Sequence, residues 1–272
     1  MPSSTPAHWS PNQYRPVQEY TYKFTPNGEL RIHVFFPFDW KPIDSRPGIV
    51  FFFGGGWNSG SPVQFFRHAL YLTGRGMVAA CADYRVKSRH ETTPLDAVED
   101  AKAAVRWLRA HAAGLGLDAQ RIAAGGGSSG GHLAACTAMV PGLDAEGDDL
   151  SVSPAANLLV LFNPALDLRA AGPERFGLSA DDARLISPIE HLSAQAPATI
   201  MCHGSQDRMC ATAREYKEKA DAVGAHVELD FYDGPGHGFF NRDPWFAQTL
   251  RRADEFLTAH GYLTGPPTVD PT

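Results

Sequence analysis

Between Ile122 and Met139 the chain reads IAAGGGSSGGHLAACTAM: an apolar run enters a cluster of glycines and leaves as an alanine-rich helical pattern. That order spells strand, sharp turn, helix. A serine on such a turn is pushed out past the end of the sheet, and the turn is too tight for side chains two positions to either side, hence G-x-S-x-G. The pattern fits twice, as Gly126-x-Ser128-x-Gly130 and as Gly127-x-Ser129-x-Gly131. We take the first register. It leaves Ser129 at the helix start, where its backbone N–H faces a developing oxyanion, and keeps Gly131 for close packing of helix on strand. Gly125, Gly127 and Gly130 also spell the dinucleotide fingerprint G-x-G-x-x-G, which is weak alone. That fingerprint belongs to a first βα unit and is followed about 20 residues later by an acid ending a second strand. Here Asp148 and Asp149 lie in a Pro/Gly/acid loop instead.

At 272 residues with 43% hydrophobic content the chain is long enough to bury a sizeable core, and its alternating strand and helix signals describe one α/β domain. It carries 30 acidic against 24 basic residues, a formal charge of -6, with no Lys/Arg block. Nucleic acid and anionic membrane surfaces are disfavoured as partners, and small-molecule chemistry fits better. Cys81, Cys136, Cys202 and Cys210 form no C-x-x-C, and three of them sit in apolar runs as reduced core thiols do. A Cys202–Cys210 bridge is the less favoured alternative. The N-terminal MPSSTPAHWSPNQYRP has no basic n-region and no apolar h-region, and no stretch is long enough to span a bilayer. The chain reads as cytoplasmic, although one trimmed of a signal peptide would read the same way.

Residues 1–18, rich in Pro and Ser, read as a surface strap, residues 19–262 as the domain, and residues 263–272 as a tail. EYTYKFTPNGELRIHVFFP alternates on both sides of Asn27-Gly28, a strong hairpin signal. GIVFFF and MVAACADYR are apolar enough for strands buried on both faces. Thr93 reads as an N-cap with Pro94 at N1, and Leu95, Val98, Ala101, Val105 and Leu108 recur at helical spacing to about Ala113. Beyond the central turn, LLVLFNPALDL, ATIMCHGSQD and HVELDFYDG are strand signals, residues 212–223 and 244–260 helix signals. Residues 169–196 are irregular and suit a small lid or insertion.

A serine on such a turn becomes a nucleophile only if an imidazole takes its proton and an acid fixes that imidazole's tautomer. Asp207 follows the apolar run TIMCHG and His237 sits in GPGHGFF after the last strand, giving the order Ser, Asp, His. The blander reading makes Asp207 a helix cap and His237 a core histidine, but glycines on both sides leave His237 exposed on a loop. His203 in CHGSQD is a rival base; it lies close in sequence to the proposed acid and better suits ordering that turn. The second oxyanion donor requires an early glycine-rich loop, and Gly54-Gly55-Gly56 supplies it, with Gly55 and Gly56 as donors beside Ser129. Trp57, Tyr84 and Phe239 are candidates to line the substrate pocket, although aromatics at such places are more often core.

GGGW at Gly54–Trp57, DYR at Asp83–Arg85, EDAKAAVRWLRAH at Glu99–His111, GGSSGGHLA at Gly126–Ala134, HGSQD at His203–Asp207 and GHGFF at Gly236–Phe240 together resemble the α/β-hydrolase superfamily. Within it the chain is similar to the esterase/lipase branch of hormone-sensitive-lipase-like enzymes, bacterial acetylesterases and carbohydrate esterases, from about residue 29 to residue 260. The resemblance implies a mostly parallel eight-stranded sheet flanked by helices with a small or absent cap. It implies a serine carboxylesterase with Ser128 as nucleophile, acting on a small-molecule ester with no metal or organic cofactor. The family's HGGG stands here as Phe53-Gly54-Gly55-Gly56, which loses a loop-holding histidine but keeps the backbone donors. Arg208-Met209-Cys210 replace the aliphatic residues that often follow the acid, which alters the local pocket. The rivals are a serine peptidase of the prolyl-oligopeptidase type, for whose extra domain there is no room, a dinucleotide-binding oxidoreductase, and a silent hydrolase-fold binding protein.

Overall fold

A computed structural model of the chain describes residues 17–270, so all but the last two residues of the expected strap, and the last two of the expected tail, lie outside the described residues. The Asn27-Gly28 hairpin is present: β1 (Gln18–Thr25) and β2 (Gly28–Phe35) run antiparallel, and Gly28 closes the turn at φ 119°, a region that favours glycine. β3 (Arg46–Phe52), β4 (Val78–Ala82), β5 (Leu117–Gly127), β6 (Leu158–Phe162), β7 (Ala198–Gly204) and β8 (Val227–Tyr232) complete one eight-stranded sheet. Its spatial order is β1-β2-β4-β3-β5-β6-β7-β8, antiparallel at β1/β2 and β2/β4 and parallel across the rest. β3, β4, β6, β7 and the second half of β5 are buried on both faces, which is why they carry apolar runs, whereas the edge strand β8 is half-buried and alternates.

The crossovers are helices, α1 (Phe66–Gly74), the short α2 (Lys87–His90), α3 (Pro94–Ala110), α4 (Ser129–Met139), the short α5 (Ala180–Leu185) and α6 (Cys210–Val223), and α7 (Trp245–Ala259) follows the last strand. α3 starts where its sequence says, with Asp96 accepting from the Thr93 N–H at 2.9 Å in a capping box and Pro94 in the first turn. Its inner face also carries Asp100, wholly buried, which takes Lys23 from β1 at 2.6 Å and Arg85 at 2.8 Å. α1 and α7 meet on one side of the sheet, where Tyr71 and Arg75 both bond Asp254 at 2.6 Å. Behind them His68 is enclosed by Phe51, Phe65, Phe162, Phe240 and Phe246, with neither ring nitrogen bonded. Burial, helped by the Arg67 charge, pushes its pKa down to about 3.

Two details depart from the sequence reading. LLVLFNPALDL is strand only to Phe162, because Asn163 turns the chain at φ 38° and Pro164 brings no N–H to a ladder. Residues 169–196 are ordered by local hydrogen bonds rather than irregular. There α5 has its own capping box, with Ser179 Oγ accepting from the Asp182 N–H at 3.1 Å, flanked by 3-10 turns at Pro173–Phe176 and Pro188–Glu190. The carboxyl ends of β3, β5, β6, β7 and β8 lie side by side, and the loops leaving them meet over the sheet, where open α/β sheets bind ligands.

Candidate active site

At the end of β5 the chain turns through Ser128, whose φ of 54° and ψ of -120° are costly for an L-residue. Gly126 and Gly130 make the turn feasible, because a Cβ on either would run into the Phe52 carbonyl. The strained residue is therefore Ser128; Ser129 is the first, buried residue of α4. Ser128 Oγ lies 2.8 Å from His237 Nε2, and His237 Nδ1 lies 2.8 Å from Asp207 Oδ2. A carboxylate only accepts, so Nδ1 carries the proton and Nε2 is left to accept from the serine hydroxyl. Burial pushes the Asp207 carboxyl up, but the His237 bond, the Met209 N–H at 2.9 Å and the neighbouring imidazoles outweigh it and hold it below the usual range.

His203 does not touch Ser128. It is wholly buried, its Nδ1 is 4.0 Å from Asp207 Oδ2, and burial pushes its pKa down to about 4 against the pull of Asp207. Its ring is thus a neutral wall behind the acid. Asn163 was not singled out by sequence. From the end of β6 its Oδ1 accepts from the Gly238 N–H at 3.1 Å and so fixes the loop that carries His237. The available signal was a polar residue ending an apolar strand run, at the position where the chain must turn.

The glycine loop after β3 lies against this turn. Gly56 N–H donates to Ser129 Oγ at 2.9 Å, so the Ser129 side chain reaches the loop and does more than leave its backbone amide free. The Ser129 N–H, in the first turn of α4, has no intrahelical acceptor, and Gly55 N–H has none among the described residues. The histidine missing from the loop is replaced in effect by three contacts. Gln64 Oε1 accepts from Gly54 N–H at 2.6 Å, Tyr84 Oη donates to the Phe53 carbonyl at 2.7 Å, and the Phe53 and Tyr84 rings stack at 4.1 Å. A cavity of about 400 Å³ opens beside Ser128, walled by Trp57, Pro164, Leu166, Leu168, Phe176 and Met209.

These features place the protein among known ones. The BD-FAE family model matches residues 39–160. The structure of Thermogutta terrifontis esterase 2 phosphorylated by paraoxon superposes with a TM-score of 0.87 at 46% identity, over 92% of this chain and 96% of that one. The chain belongs to the α/β-hydrolase superfamily, in its esterase branch. The thermophilic esterase Est2 of the same organism, solved with butyrate bound, matches at 44% identity and a TM-score of 0.86, over 91% of this chain and 95% of that one. Among curated proteins, esterase LipC of Mycobacterium tuberculosis is 30% identical over 73% of this chain and 54% of its own length. Isoprenylcysteine alpha-carbonyl methylesterase ICME of Arabidopsis thaliana is 28% identical over 73% of this chain and 52% of its own. The chain thus spans about half the length of the curated relatives it matches.

Within this esterase fold, two of the three aromatics expected in the pocket lie elsewhere. Tyr84 is fully buried because its hydroxyl and ring are spent on Phe53, and Phe239 packs between Tyr232 and Trp245. Trp57 does line the cavity, at φ 56° and edge-on to His132. His132, its pKa pushed down to about 4 by burial, bonds the Ile186 carbonyl at 2.6 Å and so ties α4 to the insertion. All four cysteines are free, and Cys210 Sγ bonds the Gly204 carbonyl at 3.0 Å, which leaves no Cys202–Cys210 bridge. Among the described residues, one trio has ligand-type atoms within 4.8 Å of one another: His226, Glu228 and His260. It lies at the opposite end of β8 from His237, with Glu228 already held by Arg252, and takes no part in the cleft. No helix among the described residues is long and apolar enough to cross a membrane.

Proposed function

We propose that this chain hydrolyses carboxylic esters of short acyl chains, acetyl-type above all, through an acyl-enzyme on Ser128. The observation that carries the reading is the continuous chain Asp207–His237–Ser128, 2.8 Å at each step, ending in a cavity of about 400 Å³. In this reading His237 Nε2 takes the Ser128 proton as Oγ adds to the ester carbonyl, and the imidazolium that forms is stabilised by Asp207. The oxyanion is held by the Gly55 and Ser129 amides, joined by the Gly56 amide as it shares or leaves Ser129 Oγ. His237 then protonates the departing alcohol. A water activated by the same nitrogen resolves the acyl-enzyme and frees Ser128.

Acyl length follows from the walls. Leu166, Leu168 and Phe176 give the cavity an apolar side, and its volume suits a short chain. The thermophilic esterase of Thermogutta terrifontis, solved with propionate and with butyrate bound, supports the same range. Acylated sugars are natural members of the alcohol panel. Each methylene left without a wall forgoes about 0.8 kcal/mol, roughly a fourfold loss in kcat/KM. The test is an aryl ester series from acetate to octanoate, run beside acetylated sugars. Specificity should be highest among the short esters and fall steeply beyond butyrate; an optimum at octanoate or longer overturns the assignment.

A further inference from the structure

Arg175, on the 3-10 turn Pro173–Phe176, and Arg208, directly after Asp207, both line the cavity beside Ser128. Among the described residues neither has an ion-pair partner, although the chain holds 30 acidic against 24 basic side chains. The one carboxylate on that wall, Asp167, is neutralised by Arg169 at 2.7 Å. A neighbouring cavity of about 210 Å³ shares Gly56, Trp57, Arg175 and Phe176 with the first and adds Lys87, likewise unpaired among the described residues. Two polar atoms of its lining residues, Trp57 Nε1 and Thr92 Oγ1, are buried with no hydrogen-bond partner. Arg175 is held in place: its Cζ lies 4.4 Å from the Phe176 ring, which stands edge-on to Trp57 at 5.1 Å.

Arg175, shared by the two adjoining cavities, with Arg208 in the first and Lys87 in the second, raises the potential for an anion there, while the overall charge of -6 repels anions elsewhere. A neutral ester leaves that local field unused. We propose that the cleft selects esters bearing a second, anionic group, a carboxylate or a similar small anion, seated against the Arg175 guanidinium. Arg208 closes such a site from the nucleophile's cavity, Lys87 from the neighbouring one, and the Arg175 fork suits a carboxylate in two-point contact. This inference rests on the esterase reading above.

Two matched pairs of substrates separate the sources of the charge: ethyl hydrogen succinate against ethyl pentanoate places it on the acyl half, and 4-acetoxybenzoate against 4-acetoxybenzamide on the alcohol half. The readout is the anionic-to-neutral ratio of kcat/KM. In one pair the ratio should reach about tenfold at low salt, carried by KM, as expected for two partly exposed charge contacts of roughly threefold each. Added salt should bring it toward one. Arg175→Gln should lower the ratio about threefold while Arg175→Lys retains most of it, and whichever of Arg208→Gln and Lys87→Gln adds to the loss marks the cavity used. A ratio at or below one in both pairs overturns the inference, as does one that rises with salt, the sign that the -6 field alone would give. A ratio indifferent to Arg175→Gln does the same. Failure to turn over even the neutral esters overturns the esterase reading, and this inference with it.

Discussion

Ser128 is held at φ 54° by glycines on both sides, and that angle separates it from Ser129, which has the same kind of neighbours in sequence. The motif matches twice in sequence because it repeats one residue on; the sequence reading takes Ser128, and the backbone turn sits at that residue. Ser128→Ala is expected to abolish both ester hydrolysis and covalent labelling by paraoxon. Ser129→Ala should behave differently. Removing its hydroxyl leaves the resting Gly56 N–H without an acceptor, at a cost of about 1 kcal/mol in stability, but the transition-state oxygen supplies one, so turnover should stay within about threefold of the parent. Urea denaturation and kinetics on the two variants check this. A dead Ser129→Ala beside an active Ser128→Ala would move the nucleophile by one residue. Tyr84 and Phe239 show the limit at this scale: an aromatic's address in sequence does not say whether a neighbour such as Phe53 or Trp245 has already claimed it.

Elements were the more legible level, because each carries its own local signals. Asn27-Gly28, Thr93-Pro94 and the glycine turn marked a hairpin, a helix start and a strand-to-helix turn that the structure contains. The insertion was less legible, since α5 is only six residues long and is fixed by a capping box and by contacts to α4 rather than by periodicity. How α3 docks was not legible either, because Lys23, Arg85 and Asp100 are far apart in sequence. Their cluster yields a prediction for that helix. Asp100 is wholly buried and Arg85 nearly so, and Asp100→Ala takes the acceptor from Lys23 and from the Arg85 N–H, leaving the guanidinium only the more exposed Asp96 at 3.1 Å and Glu99 at 3.3 Å. A loss of about 3–5 kcal/mol is expected in chemical denaturation. A change below about 1 kcal/mol, the range of exposed pairs, would show that water already screens the cluster.

For the molecule as a whole, the parallel sheet was legible from its apolar runs, but its spatial order, with β4 lying between β2 and β3, was not. That order arises from crossover geometry, which leaves no mark on any one residue. Acid stability is likewise a property of the ensemble of burials. His68, His132 and His203 are buried neutral, with pKa values pushed down to about 3, 4 and 4 from 6.5. The unfolded chain therefore binds their protons first: stability is intact above about pH 6.5 and is lost as pH falls toward 4, by up to roughly 4 kcal/mol per pH unit where all three titrate. His68→Leu should flatten that slope by about a third; urea midpoints measured from pH 7 to pH 4.5 test it, and an unchanged slope would refute the assignment. The parallel pairing of β7 with β8 has a further consequence, for the order in which the chain is made. Translation delivers Ser128 well before Asp207, and Asp207 before His237. Until β8 has emerged and zipped onto β7 there is no imidazole beside the serine, whose hydroxyl then reacts no faster than an ordinary alcohol. A growing chain on the ribosome is thus chemically mute, and its reactivity switches on as the last strand docks.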